Sequence, residues 1–308
     1  MKFFIGIVLS FISVATLAAE NIYIQSPYPA AYVGNGAMYR IMHEANRAQK
    51  KYNFLLEFKP GGEQIIAINN LNERPADRLA VIAAKFVDHV ESGKIRREDY
   101  IPISALGTAC FGVISTVGDE RKGLASLGAY KDKELVVGGV GIGTAIHLTA
   151  LELGEKYGFK IKWINFKSNA EAVLLVANNG GVDFTMGTLN EFNNSKARNP
   201  NVKLLGMSCP ARHTNAPQVL TIKEQGIDPF YVFNITVAHA SMPETKRNEI
   251  GNILEQAISS VGLRSISETS DFRPPVFDKE TPARFLDRNY KHFKAGLVHF
   301  KPQIEATR

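Results

Sequence analysis

The chain has 308 residues, 36 basic against 30 acidic, and a formal net charge of +6. The basic excess is scattered: Arg96-Arg97 and Arg121-Lys122 are flanked by acids, and no basic stripe interleaved with aromatics occurs. Nucleic-acid binding is therefore not supported, while a mild positive field of this kind favours anionic ligands.

At the N-terminus, Lys2 is followed by the apolar run from Phe3 to Leu17 and the small pair Ala18-Ala19. This order of charge, apolar stretch and small residues predicts a secretory signal peptide over residues 1–18. The run is shorter than the ~20 apolar residues of a spanning helix. The mature chain is then expected outside the cytoplasm and long enough for two lobes rather than one core. Cys110 and Cys209 are the only cysteines. An oxidising compartment permits a bridge, but two cysteines are no disulfide framework. Both lie in or beside apolar runs, so buried free thiols are expected.

Short β-rich runs alternate with helical periods, the pattern of βαβ units and an α/β fold. Asn21 to Ser26 reads as a strand, followed by a loop from Pro27 to Gly36 and an amphipathic helix marked by Met38, Ile41, Met42 and Ala45. Phe54 to Phe58 is a second strand. It ends in the turn Lys59-Pro60-Gly61-Gly62, with helix-like sequence through Leu71. Leu79 to Ala84, Ile103 to Leu106 and Phe111 to Val117 read as strands. The polar segment 118–122 is a candidate lobe boundary. A second lobe opens with a strand at Glu134 to Gly138, a glycine-rich loop and a helix from Thr144 to Lys156. A strand at Ile161 to Phe166, a helix ending at Gly180-Gly181, and strands at Val182 to Met186 and Val202 to Met207 follow. The chain then returns to the first lobe with a long β-like run from Phe230 to His239, a helix from Pro243 and a last helix carrying Tyr290, Phe293 and Leu297. The expected division is 19–120 plus 224–308 for the first lobe and 121–223 for the second.

The loop Gly138 to Thr144 joins a strand to a helix. Its glycines let backbone approach a ligand, and amides at the helix start attract an anion such as a carboxylate or phosphate. A plain tight turn with Thr144 as N-cap is the alternative. As a dinucleotide fingerprint the loop fails, because Thr144 stands where the last glycine is needed. The loop from Tyr28 to Gly36 also lies between a strand and a helix, so two such corners, one per lobe, are expected to face each other across a cleft. Tyr28 and Tyr32 either touch the ligand or pack at its rim. His147, one turn into its helix, either holds the loop or meets the ligand. The seven histidines show no metal-binding spacing, and no nucleophile motif occurs. No metal, no cofactor and no catalysis are expected.

Several segments together resemble one family, the Bug-type periplasmic receptors of tripartite tricarboxylate transporters, from about Ile22 to Leu297. Phe58 to Gly62 is similar to the family's "N-x-P-G-A-G-G" segment, and Tyr100 to Thr108 to its "F-x-P-I-x-x-L-G-x" strand. Val140 to Leu148 is similar to its "G-x-G-S-x-x-H-L" loop and helix. Asn165 to Ser168, with Glu171-Ala172 and Gly180 to Asp183, resembles "P-Y-K-G…A…L-x-G-G-x-V-D", and Ala238 to Pro243 resembles "A-P-A-G-T-P". The resemblance implies a two-lobe periplasmic-binding-protein fold of type II, the Venus flytrap. It implies a carboxylated ligand in the cleft and docking on membrane permease subunits; a monomer is expected. Carried over by position, the ligand-binding residues are Tyr28, Tyr32, Gly34, Asn35, Gly36, Gly141, Gly143, Thr144 and His147, with Thr188 after a later strand. The chain departs from the family where Tyr32-Val33 replace glycines, Gly36 an acid, Asn165 a proline and Ser168 a glycine. A simple dicarboxylate is therefore not assumed. Two other roles suit the same scaffold: presenting a ligand to a membrane sensor kinase, and catalysis. The second would need a titratable pair within hydrogen-bond reach in the cleft.

Overall fold

The computed structural model describes residues 18–30, 33–260, 272–273 and 281–307. Residues 1–17 of the expected leader and Tyr32 lie outside the described residues. The chain first lays down β1 (Glu20–Ser26), α1 (Val33–Ala48), β2 (Tyr52–Phe58), α2 (Ile65–Glu73), β3 (Arg78–Ile82), α3 (Ala84–Glu91) and β4 (Tyr100–Ala109). It then builds β5 (Gly112–Ser115), β6 (Glu134–Gly139), α4 (Ala145–Tyr157), β7 (Lys160–Asn165), α5 (Asn169–Ala177), β8 (Phe184–Gly187), α6 (Leu189–Arg198) and β9 (Lys203–Met207). It closes with β10 (Val232–His239), α7 (Glu244–Ile258), β11 (Phe272–Arg273), α8 (Pro282–His299) and α9 (Lys301–Thr307).

Two sheets organise these elements, one in each lobe. The first has the order β11-β4-β10-β3-β1-β2 and the second β7-β6-β8-β5-β9. In the first, β1, β2 and β3 are mutually parallel while β10 runs antiparallel to β3 and β4. In the second, β6, β7 and β8 are parallel and β5 is antiparallel to its neighbours. Each lobe is thus a parallel βαβ core with a reversed strand that follows a passage between lobes, β10 in the first and β5 in the second, and β11 adds another reversed strand at the edge of the first sheet.

The chain changes sheets between Ala109 and Gly112, upstream of the polar segment 118–122 where the sequence suggests a boundary. It returns through residues 208–231. Segment 118–122 is part of the second lobe: Glu120 pairs with Lys196 of α6 (3.1 Å) and accepts from the Leu204 amide of β9 (3.0 Å).

The cysteines sit at these two passages, and the expectation of free thiols is overturned. Cys110 and Cys209 form a disulfide, with Cα atoms 4.7 Å apart, inside the usual span for a bridge. Both are buried, as their apolar neighbours suggest. What the local sequence does not show is that the outgoing and returning passages lie side by side. The Ser208 amide donates to the Phe111 carbonyl (2.7 Å), and the Phe111 amide to the Ser208 Oγ (3.1 Å).

α4 explains how the second lobe meets the first. Its sequence is apolar nearly all round, and Ala145 to Leu151, Leu153 and Gly154 are all buried. Such a helix needs cover on every side. One face lies on its own sheet. The other joins a cluster with Phe230, Phe293 and Phe300, to which Ala84 and Phe86 of α3 also belong. Each large side chain buried there contributes about 1.5–3 kcal/mol, so the lobes share an apolar floor. Among the described residues no helix is long and apolar enough to cross a membrane.

Candidate ligand-binding site

In each lobe the parallel strands end on one edge. Ser26 pairs with Phe58 at the ends of β1 and β2, and Gly139 pairs with Asn165 at the ends of β6 and β7. Ligands of open α/β sheets bind beyond such carboxyl ends.

In the second lobe, Gly141 (φ 76°) and Gly143 (φ 72°) take the left-handed backbone that a side chain resists. Their amides have internal partners: Gly141 N donates to Asn165 Oδ1 (2.6 Å) and Gly143 N to His147 Nδ1 (3.0 Å). Asn165, which stands for the family's proline, therefore braces the loop. Thr144 occupies the N-cap position of α4, yet its side chain makes no cap hydrogen bond. Its hydroxyl turns back to the carbonyls of Val140 and Gly141, each at 3.0 Å. Thr144 therefore shapes the loop and leaves the first-turn amides of α4 without a side-chain acceptor. The next two helices differ: Ser168 caps α5, and Thr188 forms a reciprocal capping box with Glu191 on α6. Thr188 is thus engaged at its own helix start.

His147 is fully buried. Burial, with the Lys85 ammonium adding to it, pushes the imidazole down to about 4. The ring is therefore neutral, and because Nδ1 accepts from Gly143, the proton resides on Nε2. That N–H is buried with no partner among the described residues. Trp163 of β7, the only tryptophan in the chain, packs on the ring with centroids 4.5 Å apart.

In the first lobe, Gly34, Asn35 and Gly36 belong to the first turn of α1 rather than to the loop before it. Asn35 is buried and committed at both ends. Its Oδ1 accepts from Ser26 Oγ (2.9 Å), and its Nδ2 donates to the carbonyls of Pro29 (2.7 Å) and Ala30 (3.4 Å). It holds the corner together rather than presenting an amide to a guest. Gly36 is exposed, with open space where a Cβ would stand. Tyr28 is half-buried against the core cluster beneath α1.

The structure adds a residue that the sequence reading passed over. Lys85, in the first turn of α3 at the carboxyl end of β3, has only 4% of its side chain exposed. Its ammonium pairs with Asp88 (3.1 Å) and with Glu63 (3.3 Å). The Lys85 charge also helps to lower the pKa of His147, in the other lobe. Both described clefts lie elsewhere. One of about 720 Å³ runs between β7 and the C-terminal helices, and one of about 470 Å³ lies beside α6. Among the described residues no group of three or more His, Cys, Asp or Glu side chains is placed to hold a metal ion.

The description of one family, the tripartite tricarboxylate transporter family receptors (TctC), matches the sequence over residues 38–294. The chain is a TctC-family receptor. Solved structures share the TctC fold. A TctC solute-binding protein from Polaromonas is 22% identical, with 91% of this chain and 98% of that one covered at a TM-score of 0.71. MatC from Rhodopseudomonas palustris, solved with bound malate, is 14% identical, covering 92% and 99% at 0.68. An R. palustris protein solved with adipate is 15% identical, covering 94% and 97% at 0.72. No curated protein sequence matches the chain.

Proposed function

We propose that this TctC receptor is exported, binds a small organic carboxylate between its lobes as a monomer, and delivers it to the permease subunits of a tripartite transporter. The lobes divide at residues 110–111 and within 208–231, so that a hinge at these two passages opens and closes the cleft. The observation that carries the reading is the start of α4. Its first-turn amides lack a side-chain cap, two left-handed glycines open the approach, and the Nε2–H of His147 is buried with no partner among the described residues. Such a helix start attracts an anion. The first turn of α1, with Gly34 and Gly36, offers the matching corner of the other lobe. Malate and adipate in two proteins of the same fold support a carboxylate as the ligand class. Lys85 and Glu63 form a titratable pair within reach, which an enzyme would also need; the family favours the receptor.

Trp163 supplies the test, because any guest at the glycine loop changes the surroundings of the ring that packs on His147. Titration with malate, adipate, succinate or benzoate should change tryptophan emission in a saturable way. The same compound should raise the melting temperature by mass action on the native state. If neither signal responds to any carboxylate, the proposal is wrong.

A further inference from the structure

The turn after β2 is backbone-strained. Gly61, Gly62, Glu63 and Gln64 all have positive φ, at 111°, 54°, 53° and 81°. The glycines tolerate this, but Glu63 and Gln64 carry side chains that disfavour it. Such a turn persists only where its surroundings hold it. Two contacts do so: His89 Nε2 donates to the Glu63 carbonyl (2.9 Å), and Lys85 pairs with the Glu63 carboxylate. His89 and Lys85 both lie on the buried face of α3.

The two carboxylates on Lys85 are not equivalent. Asp88 is on the same helix and only 20% exposed, whereas Glu63 is 53% exposed on the strained turn. A third carboxylate arriving at this ammonium would leave two negative charges uncompensated, a costly arrangement away from bulk water. One resident must leave. Glu63 is the one with water to receive it and with backbone strain to release.

We propose that Glu63 is a built-in stand-in for the ligand: the guest carboxylate displaces it from Lys85, and Lys85 is the specificity-determining cation of the first lobe. This rests on the carboxylate-receptor reading. The position suits it, since Lys85 stands at the carboxyl end of β3 and Ala84 and Phe86 on either side of it share an apolar cluster with Ala145 and Leu148 of α4. A carboxylate on Lys85 would then lie on the side of the first lobe whose apolar cluster also takes in the start of α4. Affinity is then set by competition between the guest and Glu63.

The test compares wild type, Glu63→Gln and Lys85→Met by calorimetry and thermal shift against malate, adipate, succinate and benzoate at matched ionic strength. Removing the competitor should tighten carboxylate binding by about threefold or more in Glu63→Gln, and removing the cation should weaken it by about tenfold in Lys85→Met. A compound that is silent on wild type but binds Glu63→Gln also supports displacement. A compound that binds wild type, and binds Glu63→Gln equally or more weakly, overturns the proposal and leaves the receptor reading intact. Because Glu63 is exposed, that comparison stands even if Lys85→Met does not fold. Silence of all the compounds with every protein sinks both readings.

Discussion

His147 accepts the amide hydrogen of Gly143 at its Nδ1, 3.0 Å away, and can do so only as a neutral ring. Its pKa is lowered from 6.5 to about 4 by burial and by Lys85. A base with a depressed folded-state pKa contributes stability that is present above its unfolded value and is lost as pH falls towards the folded one. Between pH 6.5 and 4 this residue should therefore remove on the order of 3 kcal/mol. Urea unfolding at a series of pH values measures the slope. His147→Asn, whose side-chain oxygen can accept the same amide, should flatten it.

Glu152 on α4 works in the opposite sense. Burial first, then the negative charges of Asp228 and Glu155, raise its pKa to about 7, with His299 and Lys156 opposing. The folded protein holds the neutral acid more readily than the unfolded chain, so this contribution is full below pH 4.5 and fades as pH rises through about 7. Glu152→Gln should therefore stabilise the protein at pH 8 relative to wild type by about 1–2 kcal/mol, after allowance for solvent screening of a partly exposed group. At pH 4 it should make little difference. Thermal unfolding at the two pH values decides the matter.

Thr144 should prove a residue of folding more than of binding. Its hydroxyl bonds to the Val140 and Gly141 carbonyls. Thr144→Val keeps the shape and removes those bonds, so stability should fall by about 0.5–1.5 kcal/mol. Ligand affinity, measured by calorimetry on the folded fraction, should change less than twofold, which is about 0.4 kcal/mol. A large loss of affinity with unchanged stability would place the hydroxyl in the ligand shell instead.

The Cys110–Cys209 bond closes a loop with a sequence separation of 99. By constraining the unfolded chain, a loop of this size contributes about 2–5 kcal/mol. The double variant Cys110→Ser/Cys209→Ser should show that loss in denaturant unfolding. A reductant should reproduce it in wild type and have no effect on the variant.

The fold was legible wherever periodicity and turn residues agreed. The glycine loop before α4, the Met38 to Ala45 stripe of α1 and the closing helices all stand where their patterns place them. α3 was not legible, because Lys85 and His89 interrupt its apolar face yet are buried on it. The two strands read around Ile103 and Phe111 are present as β4 and β5, but they belong to different sheets rather than to one lobe. Nothing local marks that passage apart from Cys110. Within the candidate site, residue type indicated Thr144 and Asn35 as polar contacts, but both spend their hydrogen bonds on nearby backbone and side-chain groups. Lys85 and Glu63, 22 positions apart in sequence, meet only through tertiary structure.

Because the bridge joins Cys110, where the polypeptide enters the second lobe, to Cys209, just past β9, the last strand of that lobe, residues 111–208 are closed into a covalent ring. A protease that nicks the ring once releases no fragment: both pieces stay attached until a thiol opens the sulfur link. A single cut in the second lobe would thus leave a molecule of unchanged mass apart from one water, with its ends still held in register.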